Sequence, residues 1–252
     1  MAKPPDKWDA STALVFAWGQ SMCSNDGRGR YTARHANTWV YGGAGTFYPC
    51  TDPIVGASGT AGSVWSHCAD AAIGRPFNGG TVTRFVLRNI AVGGSAIHEW
   101  SPGGGLNATL IAQISDFMAN VGMPTHLAFS QGEADVNRLS VQQWSDGWLA
   151  MVDSIRAVGC TSKIWTSIET ICCLRLTNEQ PNAGPANYVE VELGRQQIRQ
   201  AQLALGNLNE NTRQGPDLDI IDWRLRAYGD GCHFGELGLA VAGRSWATAL
   251  FP

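Results

Sequence analysis

Strand-like and helix-like hydrophobic patterns alternate along the chain. Thr12 to Trp18 is an almost unbroken apolar run ending at Gly19, which predicts a buried strand. Residues 24–60 mix Gly, Asn, Thr and aromatic residues without a period and predict a long loop region of the kind that borders active sites. A helix is expected over Gly62 to Gly74, and a second strand over Val82 to Val92, ending at Gly93-Gly94. Leu110, Ile111, Ile114, Phe117, Met118 and Val121 share one helical face in a segment that opens at Asn107 and stops at Gly122 and Pro124. Leu127 to Ser130 predicts a third strand leading into Gln131-Gly132-Glu133. Ser140 with Gln143 forms a capping-box pattern, and Trp144, Trp148, Val152 and Ile155 follow at helical spacing before Gly159. Lys163 to Thr170 and Leu218 to Asp222 predict strands four and five, with helices over Ala186 to Leu205 and Glu236 to Leu250.

Five strands alternating with helices imply an α/β fold, a central five-stranded parallel sheet covered by helices on both faces. In such sheets the ligand site lies beyond the carboxyl ends of the strands. Ser21, Gly94, Gln131 and Glu133 each follow a predicted strand, and His233 precedes the last helix. Four separate segments therefore converge on one edge.

Composition narrows the function classes. The 252 residues suit a single domain over 1–252, and 44% hydrophobic residues suffice for a sizeable core. The 18 basic and 21 acidic residues are well mixed and leave a net charge of −3, so nucleic-acid binding has no electrostatic support. No apolar stretch approaches the roughly 20 residues that cross a bilayer, so no membrane partner is expected. Met1 to Lys7 is polar and lacks a signal-peptide core, so the chain is expected to be cytoplasmic, or secreted with its signal already removed. Ten Trp suggest core fillers above all, with sugar-stacking surfaces as the alternative; Trp39, Tyr41 and Tyr48 are the candidates for stacking, with plain packing an equal alternative. The seven Cys (23, 50, 68, 160, 172, 173 and 232) are odd in number and contain no CxxC pair, which rules out a zinc ribbon. They read as buried thiols, with one to three disulfides as the alternative. His35, His67, His98 and His126 show no metal-ligand spacing and read as structural, and Gly103-Gly104-Gly105 reads as a loop and not a phosphate cradle.

Chemistry enters at the strand ends. A Ser after a strand and a Gly presents its hydroxyl at the sheet edge, though a strand-end Ser also serves as a helix cap. Asp230 stands three residues before His233, a spacing that lets the carboxylate fix the imidazole tautomer; the plainer reading is a His that caps the final helix. Gln131 can donate to developing negative charge, and Gly94 can offer a backbone N–H to the same oxygen. Gln131 and Glu133 can equally just cap the next segment.

Taken together, four blocks are specific: Trp18-Gly19-Gln20-Ser21, Gly93-Gly94-Ser95-Ala96-Ile97-His98-Glu99-Trp100, Gln131-Gly132-Glu133-Ala134-Asp135 and Asp230 to Phe234. In order and spacing, from about residue 13 to 250, they resemble the SGNH-hydrolase superfamily in its sialic-acid O-acetylesterase-like branch, which includes the acetylxylan esterases of carbohydrate esterase family 6. The resemblance implies a three-layer flavodoxin-like fold, no metal and no cofactor. It implies Ser21 as nucleophile, His233 as general base and Asp230 as its orienting carboxylate. It also implies an oxyanion hole of the Ser21 and Gly94 N–H groups with the Gln131 side chain. Gln20 and Glu133 are supporting residues, and Glu133 is the second candidate for the acid. The expected substrate is an acetylated carbohydrate, acetylxylan or a related glycan. The alternatives are a generalist short-chain esterase and, from another class, an inactive glycan-binding module. Two departures stand out: Met22 replaces the usual Asn after the nucleophile, and Phe129 replaces a common Trp. Both are expected to reshape the substrate pocket.

Overall fold

The first apolar run serves two cores at once. A computed structural model describes residues 8–171, 185–226 and 231–252. In it β1 (Thr12–Gly19) turns Ala13, Val15 and Ala17 to one face and Leu14, Phe16 and Trp18 to the other. Side chains alternate across a strand, so a strand buried on both faces reads as a continuous hydrophobic run.

The other elements follow in chain order. They are β2 (Thr38–Gly43), β3 (Thr46–Pro49), α1 (Val64–Ala72), the small hairpin β4 (Pro76–Phe77) and β5 (Gly80–Thr81), and β6 (Arg84–Asn89). Then come α2 (Ile97–Trp100), α3 (Asn107–Asn120), β7 (His126–Ser130), α4 (Val141–Ala157), β8 (Ile164–Ile168), α5 (Pro185–Gly206), β9 (Thr212–Asp217) and α6 (Glu236–Leu250). The main sheet has the order β3-β2-β6-β1-β7-β8-β9, parallel throughout except for the β2–β3 hairpin. Its β6-β1-β7-β8-β9 part is the flavodoxin-like order 2-1-3-4-5.

Helices cover both faces. On one, α1 and α6 cross closely at Gly243, where a Cβ would lie 2.6 Å from both the Val64 carbonyl oxygen and the His67 Cβ. Trp65 and Trp246 meet there at 5.2 Å. On the other, α3 contributes Leu110, Ile114 and Phe117, α4 contributes Trp144, Trp148, Met151 and Ile155, and α5 contributes Ile198, Ala201 and Leu205. Each of the Leu, Ile, Phe and Met side chains among these contributes roughly 1.5–3 kcal/mol on burial. The capping box at α4 forms as its pattern predicts: Ser140 Oγ accepts from Gln143 N at 3.3 Å, and Gln143 Oε1 accepts from Ser140 N at 2.9 Å.

Two expectations need correction. The segment 24–60 is not all loop, because it contains β2 and β3. Trp39 and Tyr41 of β2 are buried in the α3–α4 core, so they pack and do not stack on sugars; Tyr48 of β3 is partly exposed on the edge. The fifth strand lies at Thr212–Asp217 and not at Leu218 to Asp222, and the sheet has seven strands where five were expected. The strand Thr-Arg-Gln-Gly-Pro-Asp carries no apolar alternation because it is an edge strand, where Pro and polar side chains are tolerated. The apolar residues after it form a turn in which Leu218 and Ile221 cap the core while Ile220 points to solvent.

The two departures from the resembled pattern also fall in the cores. Met22 is buried in the α1–α6 core, and Phe129 packs between Trp18 and Trp144 on the other side. Cys23, Cys50, Cys68 and Cys160 are buried free thiols, and Cys232 is buried; Cys172 and Cys173 lie outside the described residues. No helix among the described residues is long and apolar enough to cross a membrane.

Candidate active site

The site begins with a glycine that nothing else can replace. Gly19 ends β1 with φ +138°, and a Cβ on it would lie 1.9 Å from the Ser130 carbonyl oxygen. That close approach lets the chain leave the sheet against β7, with Gln20 N donating to Ser130 O at 2.9 Å. Ser21 then opens a 3-10 turn over Ser21–Cys23 and is largely buried at the carboxyl edge of the sheet. The far end of the turn is pinned by Asn89 Nδ2 and Trp65 Nε1, which donate to the Cys23 carbonyl at 2.7 and 3.0 Å. Burial pushes the Cys23 thiol well above its usual range, so this neighbouring thiol is held protonated and is a poor competing nucleophile.

Two further strand ends are bonded to this turn. Val92 N donates to Gly19 O at 2.9 Å and Ser95 Oγ to the same oxygen at 3.3 Å, which places the Gly93-Gly94 turn beside Ser21's strand. Gly94 adopts φ +75° and is exposed, with no atom within 4 Å of where a Cβ would stand. From β7, Gly132 N and Ala134 N donate to Gln20 Oε1 at 3.3 and 3.1 Å. Gln20 thus ties the Ser21 turn to the Gln-Gly-Glu segment with its side chain.

Gln131 is fully buried and its amide orientation is fixed. Trp144 Nε1, which can only donate, bonds Gln131 Oε1 at 3.0 Å. Its Nε2 donates to Asp135 Oδ2 at 2.6 Å and makes two long contacts, both 3.3 Å, to Gln20 Oε1 and Ser95 O. Asp135 also accepts from Ile97 N at 2.9 Å, at the start of α2. Burial raises the Asp135 carboxyl despite those two bonds. This aspartate therefore joins the Gln131 amide to the segment that follows Gly94. The sequence reading gave it no role, although its position four residues after Gln131 was the available signal.

The base lies on another segment. His233 sits in the loop before α6. That loop meets the chain after Ser21, where Arg28 N donates to Phe234 O at 2.8 Å and the α6 residue Leu239 packs against Gly27. Asp230 lies outside the described residues. Glu133 is buried at the start of a 3-10 turn, Glu133–Asp135, directly after Gln131 and Gly132. Ser21, Gln20, Gly94, Gln131 and Glu133 are thus brought to one edge, with the His233 loop joined to it through residues 27–28.

Beneath the edge lies a carboxyl that sequence reasoning also missed. Glu169, just beyond β8, is buried and accepts from Ser130 Oγ. Burial first, and then the negative charge of Asp219, hold it well above the usual carboxylate range. A polar residue after an apolar strand carried no sequence signal that distinguished it from a loop residue. Among the described residues no group of three or more His, Cys, Asp or Glu side chains could hold a metal ion.

No protein-family model and no curated protein sequence matches the chain. Solved structures do. A protein from Arabidopsis thaliana superposes with a TM-score of 0.67 at 16% identity, over 96% of this chain and 98% of that one. NanS gives 0.66 at 12% identity, over 99% and 98%. Est24, a carbohydrate acetylesterase from Sinorhizobium meliloti, gives 0.55 at 10% identity, over 94% and 97%. At these identities the likeness speaks for the fold: along nearly its whole length, the chain shares a three-layer α/β fold with these proteins, the fold that the resemblance of the four sequence blocks implied.

Proposed function

We propose that the chain is a serine esterase that removes O-acetyl groups from carbohydrates through an acyl-enzyme. The observation that carries this reading is the bonding of three strand ends, those bearing Ser21, Gly94 and Gln131, into one unit through Gly19 O, Gln20 and Ser95. A nucleophile beside converging N–H donors is the arrangement that acyl transfer needs. The fold shared with a carbohydrate acetylesterase supports the substrate class.

In this mechanism Ser21 Oγ attacks the acetyl carbonyl while His233 takes its proton. The oxygen that becomes negative is held by the N–H groups of Ser21 and Gly94. Gln131 adds a third donor: one of its two protons is committed to Asp135, whereas the other makes only the two 3.3 Å contacts and is left to donate to the oxyanion. The tetrahedral intermediate collapses, the sugar oxygen leaves with the proton from His233, and Ser21 carries the acetyl group. Water, deprotonated by His233, then attacks the acyl-enzyme, and acetate departs as Ser21 recovers its proton. Asp230 orients His233. No step requires a metal or cofactor.

A second reading, a generalist short-chain esterase on small non-sugar esters, rests on the fold shared with the aryl esterase of M. smegmatis, with a TM-score of 0.53 at 13% identity. Acetate release from a panel of acetylated xylans, sialic acids and other glycans, set against aryl acetates, separates the two. A steep preference for an acetylated glycan supports the first reading, and equal or better turnover of aryl acetates than of every glycan overturns it.

A further inference from the structure

Arg226 is a buried guanidinium with no acid within ion-pair distance among the described residues. It bonds backbone instead. Its Nη1 donates to the Cys232 carbonyl at 2.6 Å and to Ile171 O at 3.4 Å, and its Nη2 donates to Leu218 O at 3.0 Å. Its guanidinium carbon stands 4.9 Å from the centroid of the Phe234 ring, and its backbone pairs with Phe234 in an antiparallel bridge. Arg226 therefore grips the residues on both sides of His233.

A mirror arrangement holds the nucleophile. The Glu169 carboxyl accepts from Ser130 Oγ, and the Ser130 carbonyl accepts from the N–H of Gln20, the residue before Ser21. Each of the two side chains keeps one buried polar atom, Arg226 Nε and Glu169 Oε1, without a hydrogen bond. Buried charges are costly, and in some proteins they are retained for the geometry they fix.

We propose that Arg226 and Glu169 are positioning residues of one device: Arg226 fixes the peptide that precedes His233, Glu169 fixes through Ser130 the peptide that precedes Ser21, and together they set nucleophile and base in register. This rests on the reading of Ser21 and His233 as the catalytic pair. A misplacement of about 1 Å at such a pair can cost on the order of a hundredfold in rate. Three variants test it: R226M, R226K, which keeps the charge but loses the planar fork, and E169L, which keeps volume but removes the acceptor. Each is measured for kcat and KM on an aryl acetate, for thermal stability, and for the His233 ring signals in nitrogen-correlated NMR, assigned with H233N. The expected result is a kcat lowered about 10- to 100-fold with KM nearly unchanged, shifted His233 signals in both Arg226 variants, and partial recovery in R226K relative to R226M. E169L should lose kcat without losing stability, since it also removes a buried carboxyl. Wild-type kcat in both R226K and E169L, with His233 signals unmoved in R226K, overturns the proposal even if R226M fails to fold. The NMR arm holds separately from the esterase reading: if S21A hydrolyses the ester as well as the wild type, that reading fails, and the His233 signals alone then decide whether Arg226 fixes the imidazole.

Discussion

At the scale of single residues, two glycines of the same edge make opposite demands. Gly19 needs both its φ of +138° and the empty space in front of Ser130 O, 1.9 Å from a would-be Cβ. Gly94 needs only its φ of +75°, with open space beyond. Gly19→Ala should therefore lower stability by about 3 kcal/mol or more, or prevent folding, because strain and overpacking add. Gly94→Ala should cost about 1–2 kcal/mol, the left-handed penalty alone, and leave a folded protein whose kcat falls as its N–H turns away. Thermal melts and aryl-acetate kinetics on the pair check this, and equal melting losses would contradict the geometry. The acid of the catalytic set is decided by another pair. Asp230 is three residues from His233, whereas Glu133 directly follows Gln131 and Gly132, beside the proposed oxyanion donors, where a full negative charge would oppose catalysis. Asp230→Asn should cut kcat/KM by about 10⁴, as wrong-tautomer variants do, and Glu133→Gln should cost less. The reverse order, in a folded Glu133→Gln protein, would make Glu133 the acid or a sharer of the role.

At the scale of elements, α2 is a four-residue helix placed by a clamp and not by its own propensity. Its first N–H is taken by Asp135, and Glu99 Oε2 accepts from Ala96 N at 2.8 Å. Asp135→Leu should free both Ile97 and the Gln131 amide, lowering kcat more than KM on aryl acetates. An unchanged kcat would return Asp135 to a purely structural role. Which elements the sequence showed follows from their surroundings. Strands β1, β6, β7 and β8 are buried on both faces and read as apolar runs, and α3, α4 and α6 carry one apolar face each. β9 was hidden because an edge strand with Gly215 and Pro216 has little apolar face to display. β2 was hidden because its apolar run, Trp39-Val40-Tyr41, is only three residues long before Gly42-Gly43. In the candidate site, the placement of Ser21, Gly94 and Gln131 after strands and of His233 before the last helix was legible in the sequence. Arg226 and Glu169 were not, because their partners come from segments far along the chain and no local pattern announces them.

At the scale of the whole molecule, two buried ionisable groups outside the proposed catalytic set pull stability in opposite directions with pH. Asp52 accepts from Tyr31 N, Ser63 N and Ser66 Oγ, yet burial raises its carboxyl to about 6. Its folded state binds the proton more tightly than the unfolded chain, so stability is greatest below pH ~4 and is lost as pH rises through 6. His126, packed against Trp165 and Phe251, is lowered to about 4 by burial; its contribution is present above pH ~6.5 and lost as pH falls. Asp52→Asn should gain stability over the wild type by about 3 kcal/mol between pH 4 and 7, read as the difference between two denaturation series, in which the His126 contribution cancels. A difference independent of pH would mean that Asp52 is ionised throughout.

The central claim, that this fold presents Ser21 as an activated nucleophile, is tested most directly by covalent capture. A serine-directed phosphonate is incubated with the wild type and with His233→Ala, and the modified peptide is identified by mass spectrometry. The account predicts stoichiometric labelling of Ser21 alone in the wild type, with hydrolysis of aryl acetate abolished in step, and labelling slowed by orders of magnitude in the His233 variant. Labelling at another serine, or a Ser21→Ala protein that keeps its activity within about tenfold when removal of a true nucleophile costs far more, would contradict it.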